Sequence, residues 1–290
     1  TSQNPTYTYT SPGTYTVTLI TTSNDGCSDT TTQTITINPL PTSDFDFVIN
    51  GNSSAFGLLG GCLNTTDTIF FTNNSAVAAP DNITAYLWDF DDGSTSTLQN
   101  PTHAYTSAGT YNVQLIVETN NGCSDTSEVP IIIYPAPIAD FSLSNVCFGT
   151  TVSFTDQSLG NGGTINQWNW DFTNDGTVDN TNQNPSYGYT SAGTYTAELL
   201  VETTDGCKDS INKMVVVHPL PVANFSATNV CLNTTTQFTD SSNVATGSIT
   251  NWSWDFGDGV GTSTQTSPSY LYTTSGTFNV SLTVTTDSGC

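Results

Sequence analysis

Trp170-Asp171-Phe172 is followed by Asn184-Pro185-Ser186-Tyr187-Gly188-Tyr189-Thr190-Ser191-Ala192-Gly193-Thr194-Tyr195 and an alternating run that ends at Asp205-Gly206-Cys207. This stretch decides the fold because it recurs. Trp88-Asp89-Phe90 precedes Asn100-Pro101, Tyr111 and Asn121-Gly122-Cys123, and Trp254-Asp255-Phe256 precedes Pro268, Phe278 and Ser288-Gly289-Cys290. Asn4-Pro5, Tyr15 and Asp25-Gly26-Cys27 form a copy without its front half. A repeat overrides the prior of roughly two domains that the length suggests. From the turn glycine (Gly13, Gly109, Gly193, Gly276) to the hairpin cysteine the distance is always 14 residues, and from there to the first linker proline (Pro39, Pro135, Pro219) always 12. Paired strands demand such constancy, since a slip of one residue turns every core side chain to solvent.

In the third copy the strands read as Ala139 to Leu143, Val152 to Thr155, Gln167 to Phe172, Tyr187 to Tyr189, Tyr195 to Thr203 and Ile211 to Val217. Helical periodicity is absent. Tyr195, Ala197, Leu199 and Val201 share one face of a half-buried antiparallel strand. About seven short strands per copy predict a small β-sandwich. Pro39-Leu40-Pro41, Pro135-Ala136-Pro137 and Pro219-Leu220-Pro221 leave few backbone states at the junctions, so the domains are expected to form a rod. The boundaries are residues 1–38 (a C-terminal half repeat), 39–134 (a repeat with an enlarged loop between strands A and B), 135–218 (a repeat) and 219–290 (a repeat lacking its last strand).

Charged residues make up only 9% of the chain, and 25 acidic side chains face two basic ones, Lys208 and Lys213, for a formal charge of -23. Nucleic acid is excluded as a partner, as is an anionic membrane. The acidity reads as surface solubility or as cation binding. No run approaches the roughly 18 apolar residues of a membrane span, so direct insertion is not expected. His103 and His218 stand in slots filled elsewhere by tyrosine or asparagine, with no nucleophile beside them, so neither a catalytic site nor a required cofactor is expected. The seven cysteines lack the close pairs of a zinc ribbon and suit disulfides of an exported protein. The first and last residues fall inside repeats, so the window is expected to come from a longer protein whose signals, anchors or catalytic domains lie outside it.

The tryptophan-aspartate-phenylalanine strand, the asparagine-proline turn, and the tyrosine, glycine and tyrosine leading into the long strand together resemble the PKD-domain family. The resemblance covers essentially the whole chain. The glycine-cysteine hairpins look like repeats of very large surface adhesins of gliding bacteria. One departure is that Gly257-Asp258-Gly259 is complete only in the last copy. The resemblance implies an all-β tandem array of Ig-like (PKD-type) antiparallel β-sandwich domains, placed at the cell surface or in secreted hydrolases as spacers or binding accessories. It also casts Tyr9, Tyr105, Tyr189 and Tyr272 as tyrosine corners of the sandwiches.

Each copy has one cysteine before strand B (Cys62, Cys147, Cys231) and one at the hairpin between strands F and G (Cys27, Cys123, Cys207, Cys290). In an Ig-like sandwich these lie at opposite poles. A strand of eight residues spans about 26 Å, whereas bridged Cα atoms lie roughly 4.4 to 6.8 Å apart. The expected bridges therefore join neighbours, Cys62 to Cys207 and Cys147 to Cys290, with Cys27, Cys123 and Cys231 pairing outside the window. The alternative is pairing within a copy, Cys62–Cys123, Cys147–Cys207 and Cys231–Cys290, if the A–B segment folds over the sandwich.

Asp171, Asp175 and Asp179 stand at positions one, five and nine around Gly176, a partial match to a calcium loop, with Asp140 and Asn224 as further candidates from the family resemblance. The competing reading is a turn capped by its own aspartates. Trp88, Trp170 and Trp254, with Tyr86, Trp168 and Trp252 two residues before them, recur at strand spacing and read as core and not as a sugar platform. Phe56, Leu58 and Leu59, in an insertion of residues 51–61, are apolar enough either to pack against the next repeat or to meet another chain. The leading expectation is the shaft of a long extracellular adhesin or surface filament, whose partners are its own repeats and further copies of itself. The alternative is a ligand-binding accessory array of a secreted polysaccharide- or protein-degrading enzyme.

Overall fold

A computed structural model describes residues 2–50, 60–63 and 68–290. The half repeat is a hairpin of β1 (Gly13–Thr22) and β2 (Ser28–Ile37), a two-stranded sheet with most side chains exposed. The second repeat contains β3 (Phe45–Asn50), β4 (Gly60–Cys62), β5 (Thr68–Asn73), β6 (Ile83–Asp89), β7 (Thr95–Ser96), β8 (Thr102–His103), β9 (Gly109–Thr119) and β10 (Ser124–Tyr134). Its two sheets run β3-β5-β8 and β4-β10-β9-β6-β7.

The third repeat contains β11 (Phe141–Leu143), β12 (Val146–Cys147), β13 (Val152–Asp156), β14 (Ile165–Asp171), β15 (Ser186–Tyr187), β16 (Gly193–Thr203) and β17 (Lys208–His218). These pair as β11-β13-β15 and β12-β17-β16-β14. The fourth comprises β18 (Phe225–Ala227), β19 (Thr236–Asp240), β20 (Ile249–Asp255), β21 (Thr262–Ser263), β22 (Ser269–Tyr270) and β23 (Ser281–Thr286), in sheets β18-β19-β22 and β21-β20-β23. The fold is an all-β tandem array of Ig-like sandwiches. Among the described residues there is no helix, and hence none long and apolar enough to cross a membrane.

One crossing was not visible in the strand pattern. The first strand of the third repeat is β11 for three residues, and the chain then moves to the opposite sheet as β12, parallel to β17 through Val146↔Val217 and Cys147↔His218. Asn145 stands beside the change of sheet. Its Oδ1 accepts the Val216 N–H at 3.0 Å, satisfying an edge donor just ahead of the parallel ladder. In the second repeat β4 pairs parallel to β10 in the same way, Tyr134 opposite Cys62.

The core of each repeat is one indole between two phenylalanines. Trp170 is fully buried, with Phe141 edge-on at 5.1 Å and Phe154 tilted at 5.4 Å; Trp88 meets Phe45 at 5.0 Å, and Trp254 meets Phe225 at 5.0 Å. Burial of an indole requires a partner for its N–H. Each indole donates to a carbonyl in the loop that follows its strand: Leu98 at 2.9 Å, Asn182 at 2.9 Å and Gln265 at 2.8 Å.

The chain divides into two compact units, Thr1–Ala136 with Asp205–Cys207, and Pro137–Thr204 with Lys208–Cys290.

Candidate functional site

The cysteine-bearing turns are built by the backbone. In the tip that ends β9, the Thr119 N–H donates to the Cys123 carbonyl, Gly122 N–H donates back to Thr119, and Cys123 N–H donates to Thr119 Oγ1 at 3.2 Å. The tip after β23 repeats this with Thr286, Gly289 and Cys290. Gly122 and Gly289 have φ of 79° and 80°, a conformation that strains other residues, so the glycine before each cysteine is a geometric requirement. Each tip is thus a rigid mount for one sulfur.

Two of the tip sulfurs, those of Cys207 and Cys290, are bonded. Cys62, at the end of β4, bonds Cys207, with Cα atoms 5.5 Å apart, and Cys147, at the end of β12, bonds Cys290, with Cα atoms 5.6 Å apart. In both pairs the A–B cysteine of one repeat bonds the F–G tip of the next. The tip Asp205–Cys207 accordingly groups with the first compact unit. Cys27 and Cys231 are exposed, Cys123 is half-exposed, and these three thiols are not bonded. The two closed loops span 145 and 143 residues and overlap, because Cys147 lies inside the first.

In the loop after β14 the aspartates accept the loop's own N–H groups. Asp171 Oδ1 accepts the N–H groups of Thr173 at 3.1 Å and Asp175 at 3.3 Å, and Oδ2 that of Gly176 at 2.7 Å. Asp175 Oδ1 caps Thr177 N–H, and Asp179 Oδ2 caps Phe172 N–H, both at 2.8 Å. These bonds close the loop on itself. Asp140 is engaged by Lys213, whose ammonium lies 2.5 Å from Oδ1, donates to the Phe141 carbonyl and sits 5.2 Å from the Phe141 ring. The Asn224 carbonyl accepts Ser241 N–H at 2.8 Å.

Burial alone would raise the Asp171 carboxyl, but the N–H donors of Gly176, Thr173 and Asp175 outweigh it and hold the group below its ordinary value of 3.8. Asp156 and Asp240 behave likewise, with burial offset by their hydrogen bonds, which include those from the Trp168 and Trp252 indoles at 2.8 Å. A carboxylate depressed on folding contributes stability that is complete above the unfolded value and lost as pH falls through the folded one. Thermal midpoints are therefore expected to be level above about pH 5 and to fall progressively below about pH 4. Asp171→Asn should start lower and show a shallower acid limb in melts followed by circular dichroism; an unchanged limb would remove Asp171 from the account.

The tyrosines exchange roles relative to the sequence expectation. Tyr105, Tyr189 and Tyr272 donate to the Phe90, Phe172 and Phe256 carbonyls at 2.8 to 2.9 Å, which lie 15 to 17 residues upstream. They tie the turn before strand F to the tryptophan strand. The short backward bond of a tyrosine corner is made by Tyr15, Tyr111 and Tyr195, which donate to the carbonyls of Ser11, Ser107 and Ser191, four residues earlier. The fourth repeat has Phe278 there, which stacks on Tyr272 at 4.0 Å with no hydroxyl to donate.

His103 stacks on Phe90 at 4.2 Å, with Nε2 2.8 Å from Asp92 Oδ2, and Tyr270 stacks on Phe256 at 4.2 Å and donates to Asp258 Oδ2 at 2.6 Å. The histidine replaces a structural tyrosine. Phe56, Leu58 and Leu59 lie outside the described residues.

A family model described as the PKD domain matches residues 1–38, 61–133, 134–218 and 217–290. The chain belongs to the PKD-domain family. Among curated proteins, its PKD repeats are 35% identical over 104 residues to pre-pro-metalloprotease PrtV of Vibrio cholerae, covering 36% of this chain and 11% of PrtV. They are 40% identical over 63 residues to collagenase ColQ1 of Bacillus cereus, covering 22% of this chain and 6% of ColQ1. The aligned region is thus about a tenth or less of the length of these relatives. Among solved structures, the PKD1 domain of PrtV is 33% identical, with a TM-score of 0.25 over 33% of this chain and 98% of that one. The PKD matches span nearly the whole chain, which is a run of such domains.

Proposed function

We propose that the chain is an accessory PKD array of a secreted, protein-degrading enzyme, built to keep its repeats joined in a proteolytic environment. The overlapping bridges carry this reading. A backbone cut within the Cys62–Cys207 loop leaves its ends tied through that bond, and a cut within the Cys147–Cys290 loop through the other. From residue 62 to residue 290, no single cut releases a fragment. Two basic residues in the whole chain also leave trypsin-like proteases little to cleave. The likeness to the PKD1 domain of PrtV and to a stretch of ColQ1 supports the setting, and disulfides suit an extracellular location.

Digestion with a glutamate-specific protease to about one cut per chain is expected to leave the mass unchanged on a non-reducing gel and to release fragments on reduction. Fragments released without reduction would count against the role of the bridges. The accessory assignment itself is tested by cosedimentation of the intact chain with insoluble collagen and with cellulose. Retention on the fibrous protein is expected. Full recovery from both supernatants would favour the second reading, the shaft of a surface adhesin, which is supported by the burial of all three motif tryptophans in the cores.

A further inference from the structure

The parallel ladder of the third repeat ends on a pair of chemical interest. Cys147 of β12 stands opposite His218 of β17, and the Phe148 N–H continues the ladder by donating to the His218 carbonyl at 2.8 Å. Aligned residues of a parallel pair project from one face of the sheet on backbones about 4.8 Å apart. The preceding pair, Val146 and Val217, packs on the core, so Cys147 and His218 share the outer face. The second repeat has the same ladder with Tyr134 opposite Cys62. One bridge therefore has an imidazole beside it and the other a phenol. Burial separates them as well: Cys62 and Cys207 are 7% and 0% exposed, whereas Cys147 is partly exposed.

We propose that Cys147 and His218 form a thiol–disulfide exchange site that takes a dithiol as reductant, or the corresponding disulfide as oxidant. A thiolate of the dithiol attacks the Cys290 sulfur, the Cys147–Cys290 bond breaks, and its electron pair leaves on Cys147 as a thiolate beside the His218 imidazolium. The second thiol of the reagent then displaces Cys290. The reagent ends as a disulfide, and the protein has gained two electrons and two protons. Closure runs the same steps backwards. A neighbouring imidazolium favours the thiolate, which makes Cys147 the better leaving group on opening and raises its thiolate fraction for attack on closing.

No acid cancels this charge within the ladder. Asn145, Phe148, Gly193 and Thr194 are uncharged, and in the tip that carries Cys290 the Asp287 carboxylate accepts the N–H and hydroxyl of Ser248 at 3.1 and 3.0 Å. The two bridges thus differ in kind: Cys62–Cys207 is permanent and Cys147–Cys290 exchangeable. Opening the second leaves residues 208–290 joined to the rest by backbone alone.

Thiol reactivity tests the proposal. In the full chain with Cys27, Cys123, Cys231 and Cys290 replaced by serine, Cys147 is the one free thiol. Its rate with a neutral aromatic disulfide at about pH 6 should exceed at least tenfold, roughly, that of Cys62 in a chain where Cys207 is replaced in place of Cys290. His218→Gln should slow Cys147 about fivefold or more at that pH and by less than about twofold near pH 9, where a thiol ionises unaided. His218→Lys keeps a positive charge and should restore the rate. In the oxidised parent chain, limiting dithiothreitol should open Cys147–Cys290 before Cys62–Cys207, as read by alkylation and peptide mass spectrometry. A His218→Gln pH profile that superposes on the parent's, a lysine variant as slow as the glutamine one, or opening in the reverse order would overturn the proposal.

Discussion

Pulled from its two ends until fully unfolded, the oxidised chain is expected to reach a contour roughly 560 Å shorter than the reduced chain, at about 3.4 Å per residue. The taut path runs from residue 1 to Cys62, crosses to Cys207, returns to Cys147 and crosses to Cys290. Only about 120 residues of backbone lie on it. The rest is held in slack loops that carry no load. Single-molecule force spectroscopy with and without reductant reads this length directly. Pairing within repeats would shorten the chain by a different amount, since the loops would then lie side by side without overlap. Each bridge also restricts the unfolded state, contributing about 2–4 kcal/mol.

Trp170→Ala is expected to cost about 3–5 kcal/mol, because it empties the space between Phe141 and Phe154 and removes the donor to the Asn182 carbonyl. A repeat of this size has of the order of 4–13 kcal/mol in total, so the third repeat would lose a large share of its stability. Amide exchange followed by mass spectrometry should show protection in β14 and β16 falling by roughly a hundredfold to several thousandfold. The half repeat serves as an internal control in the same sample. A change under about tenfold would mean that Trp170 does not close the core.

Much of this was legible in the residues. The strand faces of Tyr195 to Val201, the burial of the motif tryptophans and the hairpin tips follow from period-two alternation and invariant spacing. The passage of the first strand from β11 to β12 was not, because alternation says which side chains point inward and not which sheet supplies the backbone partners. In the third repeat the Asn145 side chain accepts the Val216 N–H beside the crossing, a contact that alternation does not announce. The exchange of roles between Tyr189 and Tyr195 was hidden for a similar reason: both are tyrosines in a turn, and which carbonyl each hydroxyl reaches depends on how that turn folds. The aspartates at 171, 175 and 179 have the spacing of a cation loop, and only the placement of the N–H groups around them shows how their oxygens are used.

The most direct test of the account is mapping of the disulfides in the natively oxidised protein, by mass spectrometry after peptic digestion in acid, where thiols do not exchange. Linked peptides containing Cys62 with Cys207 and Cys147 with Cys290 are predicted. A linked peptide containing Cys147 with Cys207, or Cys62 with Cys123, would place the bridges within repeats and contradict the account.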